Sequence, residues 1–349
     1  MIDFRYHLVS IVAVFLALAI GIVLGSTELQ GPAYNFLNST TAKLQNELNQ
    51  ASSQRDAAQQ QADLGQNYAQ AIEPVVLHNL LAGQRLLIIT EPGAPASVVT
   101  AISSAATQDA GATVTGQIAL QPKFFDNSDT TLAGLNQINQ AMSQADGIVL
   151  TTGTTQDQAA QVIADEILTR GSGSSAGALP VSSPSTGSGP DTNAQTMLGT
   201  YANEGFLTVS GQPSAPATLV VIVTPQAAPS AGSADPVDQL LVPVAEELAA
   251  KSSATVVAGV SADSGPGSPI AVLRASSAAS KVSTVDDADF VAGQSVVIQA
   301  LAAQLNGANP GSYGFANGAS AVAPSPAPTS SASASPTATA SSPSKKPKK

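Results

Sequence analysis

The chain predicts an α/β protein carried on a membrane helix, and three observations predict it. An apolar run free of charge fills Leu8–Leu24. A stretch rich in Gln, Asn and Ala follows, with a seven-residue apolar recurrence. From Arg85 onward, short apolar runs alternate with segments of helical period, the pattern of parallel strands joined by helices. The expected architecture is an N-terminal transmembrane helix and a coiled-coil stalk, then a mostly parallel-sheet, Rossmann-like α/β domain with a disordered tail. We place the anchor at 1–27, the stalk at 28–74, the α/β domain at 75–315 and the tail at 316–349.

The anchor reads LVSIVAVFLALAIGIVL. Extended to Tyr6–Ser26 it reaches the roughly 20 residues that cross about 30 Å of hydrocarbon. Arg5, opposed by Asp3, makes a feeble n-region, and the run is longer than a secretory h-region. We therefore read an uncleaved anchor; small residues at Gly25 and Ser26 mark the alternative, a cleavage site. Arg5 before the span and Glu28 after it put the N-terminus in the cytoplasm and the bulk outside. Gly21 and Gly25 have the four-residue spacing that lets membrane helices approach closely. Leu8 and Leu24 bound the lipid-facing segment.

In the stalk, Leu37, Leu44, Ala51, Ala58, Gly65 and Ile72 form one heptad set. Thr41, Leu48, Arg55, Ala62 and Ala69 form the second. Together they make a coiled-coil seam, weak because alanine dominates it. Leu37, Leu44 and Leu48 are its candidate partner-binding residues, toward a second copy or an envelope protein. The alternative is a solvated helix used as a spacer. Pro74 is the expected end.

Arg85–Thr90 reads as a doubly buried strand. The EPGAP turn follows, then a helix closed by Gly111. Ala112–Leu120 is the second strand, 132–144 a helix, Gly147–Thr152 a third strand and 156–169 a further helix. A Gly/Ser/Pro spacer covers 171–190. Thr218–Pro225 and Ala254–Ala262 are the next strands. Between them runs a helix started by Asp235-Pro236 and ending at Ala250. The two strand–helix–strand stretches are similar enough to suggest an internal duplication. A short helix at 270–275, a strand at Lys281–Val285 and a helix at Val291–Leu305 complete the domain.

Composition removes most chemistry. The 349 residues hold no Cys and two His, with 11% charged residues, mean hydropathy +0.15 and a net charge of -11. Thiolate metal sites, disulfides and thiol catalysis are excluded. The acidic balance argues against a nucleic-acid partner. Four of the 13 basic residues lie in the terminal KKPKK, so the rest is more acidic still. GSGSSAG at 171–177 has mis-spaced glycines and follows a helix, so it fails as a dinucleotide loop. The turns at 91–93 and 153–155 sit where α/β folds bind ligands, but without a nearby cation they read as ordinary turns. His7 and His78 are poorly placed to activate a serine. Met142 and Met197 read as core fillers. Asp286, Asp287 and Asp289 read as a helix cap with solvated neighbours ahead of a hard-cation site. We expect no enzyme, no catalytic residue and no protein-derived metal or cofactor site.

The opening MIDFRYHLVSIVAVFLALAIGIVLGS resembles the start of the mycobacterial copper-transport protein B (MctB) family of actinobacterial envelope proteins. The flank Phe4-Arg5-Tyr6-His7 gives it more specificity than a generic membrane helix. A second match is VSTVDDADFVAGQSVVIQALAAQL (Val282–Leu305), followed by GSYG (Gly311–Gly314). The resemblance runs over residues 1–315. It implies a role in copper efflux or copper tolerance across the cell envelope, with a proposed outer-membrane pore and copper as the one implied ligand. The residues themselves read as a single-pass cell-membrane protein in contact with lipid. Their alternative function is a non-enzymatic extracytoplasmic scaffold or adaptor for an envelope or cell-wall partner.

Overall fold

The computed structural model describes residues 4–168, 192–211, 216–226, 236–261 and 267–325. The 171–190 spacer, Asp235 as a helix cap and the tail beyond 325 lie outside the described residues. The chain divides into two compact units, Met1–Asn67 and Tyr68–Lys349.

The first unit is one helix. α1 (Phe4–Leu77) begins just before the apolar run and includes the stalk region. Its segment Tyr6–Gly25 is 20 residues long, exposed and apolar enough to cross a membrane. Pro74 does not end α1; the helix runs three residues further. A proline inside a helix costs a hydrogen bond and a clash. Tertiary contacts offset that cost here, because Leu77 and Leu81 are fully buried in the α/β core. The stop is Asn79, whose φ of 57° is left-handed, a common helix-ending conformation for asparagine. Its amide donates to Asp109 O at 3.2 Å, and that of Leu81 donates to Ala110 O at 2.9 Å.

The second unit is built on one seven-stranded sheet, order β3-β2-β1-β4-β5-β6-β7. The strands are β1 (Arg85–Thr90), β2 (Thr113–Leu120), β3 (Leu207–Gly211), β4 (Leu219–Val223), β5 (Ala254–Ala258), β6 (Ser283–Val285) and β7 (Ser312–Tyr313). Every neighbouring pair is parallel except β2 with β3. The order 3-2-1-4-5-6 is that of the doubly wound sheet, but the antiparallel β3 departs from it. Alternate residues of one strand enter different cores. Leu87 and Ile89 face α3 (Asp129–Asp146), α4 (Thr155–Ile167), α5 (Thr192–Asn203), α6 (Pro236–Lys251) and α7 (Pro269–Arg274). Leu86 and Ile88 face α2 (Ala96–Ser104), α8 (Val291–Leu305) and the end of α1. The two similar units, β1–α2–β2 and β4–α6–β5, thus lie on opposite sides of the β1/β4 junction with their helices on opposite faces.

The expected strand at Gly147–Thr152 is not a strand. The position beside β2 belongs to β3, which the sequence reading missed along with α5. Ile148 and Leu150 still pack against the first core, which explains their apolar pattern. Their backbone is served by one side chain instead of a neighbouring strand. Gln161 accepts from Thr151 N at 2.8 Å and donates to Val149 O at 2.8 Å. Beyond β7, the segment to Ala321 folds back on the sheet edge: Ser320 N donates to Ser312 O at 2.7 Å and Gly314 N to Ala321 O at 3.1 Å.

Candidate functional site

Open α/β sheets bind ligands beyond the carboxyl ends of their strands, where the strand order reverses. That reversal lies between β1 and β4. The chain leaves β1 through Glu91, which is 3% exposed, and turns at Gly93, whose φ is 87°. Glu91 N donates to Val223 O at 3.0 Å, and Ala94 N to Glu91 O at 3.1 Å, closing the turn. A Cβ on Gly93 would stand 3.5 Å from Pro225, so the two loops touch at this point. A buried carboxylate here opposes a phosphate. The other expected turn is equally local. Thr154 caps α4 in a reciprocal box with Asp157, using the two bonds that define that motif.

The charged residues gather two strands beyond β4, after β6. Asp286 is buried and pairs with Arg274, which is also buried, at 2.8 Å. Its two oxygens accept from Phe315 N at 2.8 Å and Ala316 N at 3.1 Å. Arg274 also donates to Thr284 Oγ1 at 2.9 Å, Tyr313 O at 2.7 Å and Asn317 O at 3.4 Å. Gly314 has a φ of 120°, and a Cβ there would run into the Asp286 carboxylate. Asp289 accepts from Ser261 N at 2.8 Å and Ser261 Oγ at 2.6 Å, tying this turn to the end of β5. Asp287 lies between them, 2% exposed, with its Oδ1 buried and lacking a hydrogen-bond partner. Burial first, then the charge of Asp286, pushes its pKa up to about 6.

This arrangement corrects the sequence reading of the acidic cluster. Asp286 and Asp287 are buried rather than solvated, and the residue capping α8 is Phe290. Among the described residues no group of three or more His, Asp or Glu side chains is arranged to hold a metal ion. Arg274 supplies the positive charge that a cation would have supplied to Asp286. Sequence reasoning missed Arg274; the signal was a lone cation in the apolar run PIAVLR, since a buried guanidinium needs a carboxylate. It also missed Glu73, which accepts from Ser295 Oγ at 3.0 Å and whose pKa burial raises. Met197 is buried and Met142 packs against the first core, while His78 is exposed beside Asn79.

The stalk and membrane residues all lie on α1. Leu37, Leu44 and Leu48 are exposed, and at about 3.6 residues per turn their spacing of seven and four keeps them on one stripe. Leu8 and Leu24 are exposed as well. A Cβ at Gly21 or Gly25 would meet nothing within 4 Å, so that face of the helix is open.

The sequence model of the family described as "Copper transport outer membrane protein, MctB" matches residues 1–324. Copper transporter MctB of Mycobacterium tuberculosis (strain ATCC 25618 / H37Rv) is 28% identical over 324 residues, covering 92% of this chain and 99% of the relative. Copper transporter MctB of Mycobacterium leprae (strain TN) is 26% identical over 333 residues, with the same coverage. The match takes in the apolar helix, the stalk region, the whole sheet and the segment after β7, and on that ground the chain belongs to the MctB family.

Proposed function

We propose that this chain is a single-pass, membrane-anchored component of copper transport or copper tolerance in the cell envelope. The observation that carries the reading is the family match over residues 1–324, which spans anchor and α/β domain together. Its N-terminus is cytoplasmic and its bulk extracytoplasmic, from Arg5 and Glu28 on either side of the span. The chain acts as a non-enzymatic scaffold in that process, and does not itself conduct the ion. The open sheet supports this: β3 and β7 are its edges, and helices cover both faces, whereas a spanning barrel closes on itself. The thioether of Met197, a soft ligand suited to Cu(I), is sealed in the core. The exposed leucine stripe of the stalk is the partner-binding surface, as a coiled coil with a second copy or an envelope protein.

The test joins copper binding to function in cells. The full chain in detergent is titrated with Cu(I) against a strong competing chelator, and weak retention is expected. In parallel, cells lacking the protein are complemented with the parent or with a variant carrying Leu44→Asp and Leu48→Asp. Burying a leucine is worth roughly 1.5–3 kcal/mol, and a charge in the seam is costly unless paired. The variant should lose crosslinking to its partner and copper tolerance together, while its α/β domain stays folded. Tight, stoichiometric copper retention would replace the scaffold with a direct carrier. A variant that crosslinks and complements like the parent would make the stalk a spacer.

A further inference from the structure

The residues after β6 hold the last described part of the chain in an unusual way. The strap from Gly311 to Ala321 forms the outermost sheet edge, and β7 contributes only two residues to it. Most of its anchorage is therefore not strand pairing. Asp286 binds the Phe315 and Ala316 amides, and Arg274 binds the Tyr313 carbonyl. Arg274 and Asp286 are paired with each other, so one ion pair grips the strap through both partners. Asp287 sits next to this grip and takes no part in it. Its Oδ1 is buried without a hydrogen bond and lies, with the Asp287 carbonyl, against the space that Gly293 leaves by having no side chain.

We propose that the β6–α8 turn is a proton-operated clasp on the C-terminal strap. With Asp287 neutral, the Asp286 carboxylate belongs to Arg274 and the strap amides alone. With Asp287 charged, a second carboxylate beside it competes for the same guanidinium and repels Asp286, and the grip slackens. The proton comes from solvent, and no other bond is made or broken. The charged groups bearing on Asp287 are Asp286 and Asp289 on its own turn and Arg274 from α7. α8 carries no charged residue, β7 brings Tyr313, and the end of β5 brings the hydroxyl of Ser261 to Asp289. The carboxylates outnumber the single cation, so charging Asp287 adds a net negative charge to a buried site. The raised pKa of Asp287, about 6, sets the working range between pH 5 and pH 7. The strap is held more firmly at the acid end of that range.

The sequence contains no Trp, so one tryptophan reports on the strap alone. Phe315 is 74% exposed, so Phe315→Trp adds little strain there. Acrylamide quenching of this full-length protein in detergent is followed from pH 5 to pH 8. Quenching should rise with a midpoint near pH 6, and Asp287→Asn in the same background should remove the midpoint and leave the strap closed throughout. A flat response in the parent reporter, or an unchanged midpoint in the Asn variant, overturns the clasp. Should the Asn variant fail to fold, carbon-13 carboxyl NMR of the otherwise unaltered chain decides. Asp287 must titrate at the midpoint at which the Phe315 and Ala316 amide shifts move, and separate midpoints overturn the proposal. Neither readout depends on copper.

Discussion

Gly293 is the position at which one methyl group should do most damage. It lies in the first turn of α8, against the backbone of Asp287. A Cβ added there would stand less than 3.0 Å from the Asp287 carbonyl carbon and oxygen, closer than real Cβ atoms come. That carbonyl accepts from Phe290 N at 3.0 Å and so helps to set the entry into α8. It cannot retreat without disturbing the turn that holds Asp286 and Asp289. Overpacking of this kind costs about 1–3 kcal/mol, and a backbone obstacle puts Gly293→Ala at the upper end. Alanine recovers about 1 kcal/mol through helix propensity, so the net loss is about 2 kcal/mol. Gly199 in α5 is the matched control, because a Cβ there meets nothing within 4 Å. Gly199→Ala should gain up to about 1 kcal/mol from the same propensity difference. For a domain of this size 1 kcal/mol shifts Tm by roughly 2–4 °C, so Gly293→Ala should melt about 4–8 °C below the parent. Gly199→Ala should melt at or slightly above it. Much of the far-ultraviolet signal comes from α1, so the melt is followed by near-ultraviolet dichroism, where buried Tyr201 and Tyr313 report on the sheet domain. If Gly293→Ala melts at or above the parent, the argument that α8 is seated on the Asp287 backbone is wrong.

Two further outcomes are expected. A reporter active only in the cytoplasm, fused after Val322, should be silent, and a bright signal there would reverse the proposed orientation. Asp287 should also make the α/β domain more stable in mild acid. Its folded pKa, about 6, lies above the ordinary 3.8, so the folded state takes up a proton first as pH falls. Stability therefore rises as pH drops from about 7 towards 4. That rise from 3.8 to about 6 corresponds to at most about 3 kcal/mol, and solvent screening reduces it to the order of 1 kcal/mol. Denaturant titrations at pH 7 and pH 5 should show that gain in the parent and not in Asp287→Asn; equal gains would remove Asp287 as its source.

The elements read well from sequence wherever period and punctuation agreed. β1 and α8 occur at the residues expected, because RLLIIT holds an unbroken apolar run from Leu86 to Ile89 and VAGQSVVIQALAAQL follows an extended turn. The errors arose where tertiary contacts replaced local signals. GIVLTT has the composition of a strand, but Gln161 serves its backbone from a neighbouring helix and β3 takes the ladder position. LTVSG, which does become β3, has one buried residue and four exposed ones, so it gave no apolar run to detect. Pro74 was a true local signal overridden by the burial of Leu77 and Leu81, and the real stop, Asn79, was legible as a left-handed candidate.

The two segments that first carried the family resemblance have different physical reasons to be distinctive. The N-terminal one is a helix long and apolar enough to cross a membrane, where almost any apolar residue serves the helix itself, so its flank holds the information. The second is constrained almost residue by residue. Asp286 needs Arg274, the strap amides need Asp286, Gly314 needs its left-handed turn beside that carboxylate, and Gly293 needs the absence of a side chain. None of these requirements involves a ligand. A motif can thus identify a family while its residues are occupied with holding the fold. The acidic run VDDAD looked from sequence like a choice between a cap and a cation site because Arg274 lies in a different element. Only the parallel register of β5 with β6, and of β6 with β7, brings α7, the β6 turn and the strap to the same end of the sheet. For a scaffold the consequence is specific. The β7 edge of the sheet is committed to the segment that follows it, so on the proposed scaffold reading a partner at that edge would compete with the strap for Asp286 and Arg274, whereas the exposed leucine stripe of α1 and the β3 edge carry no such competitor among the described residues.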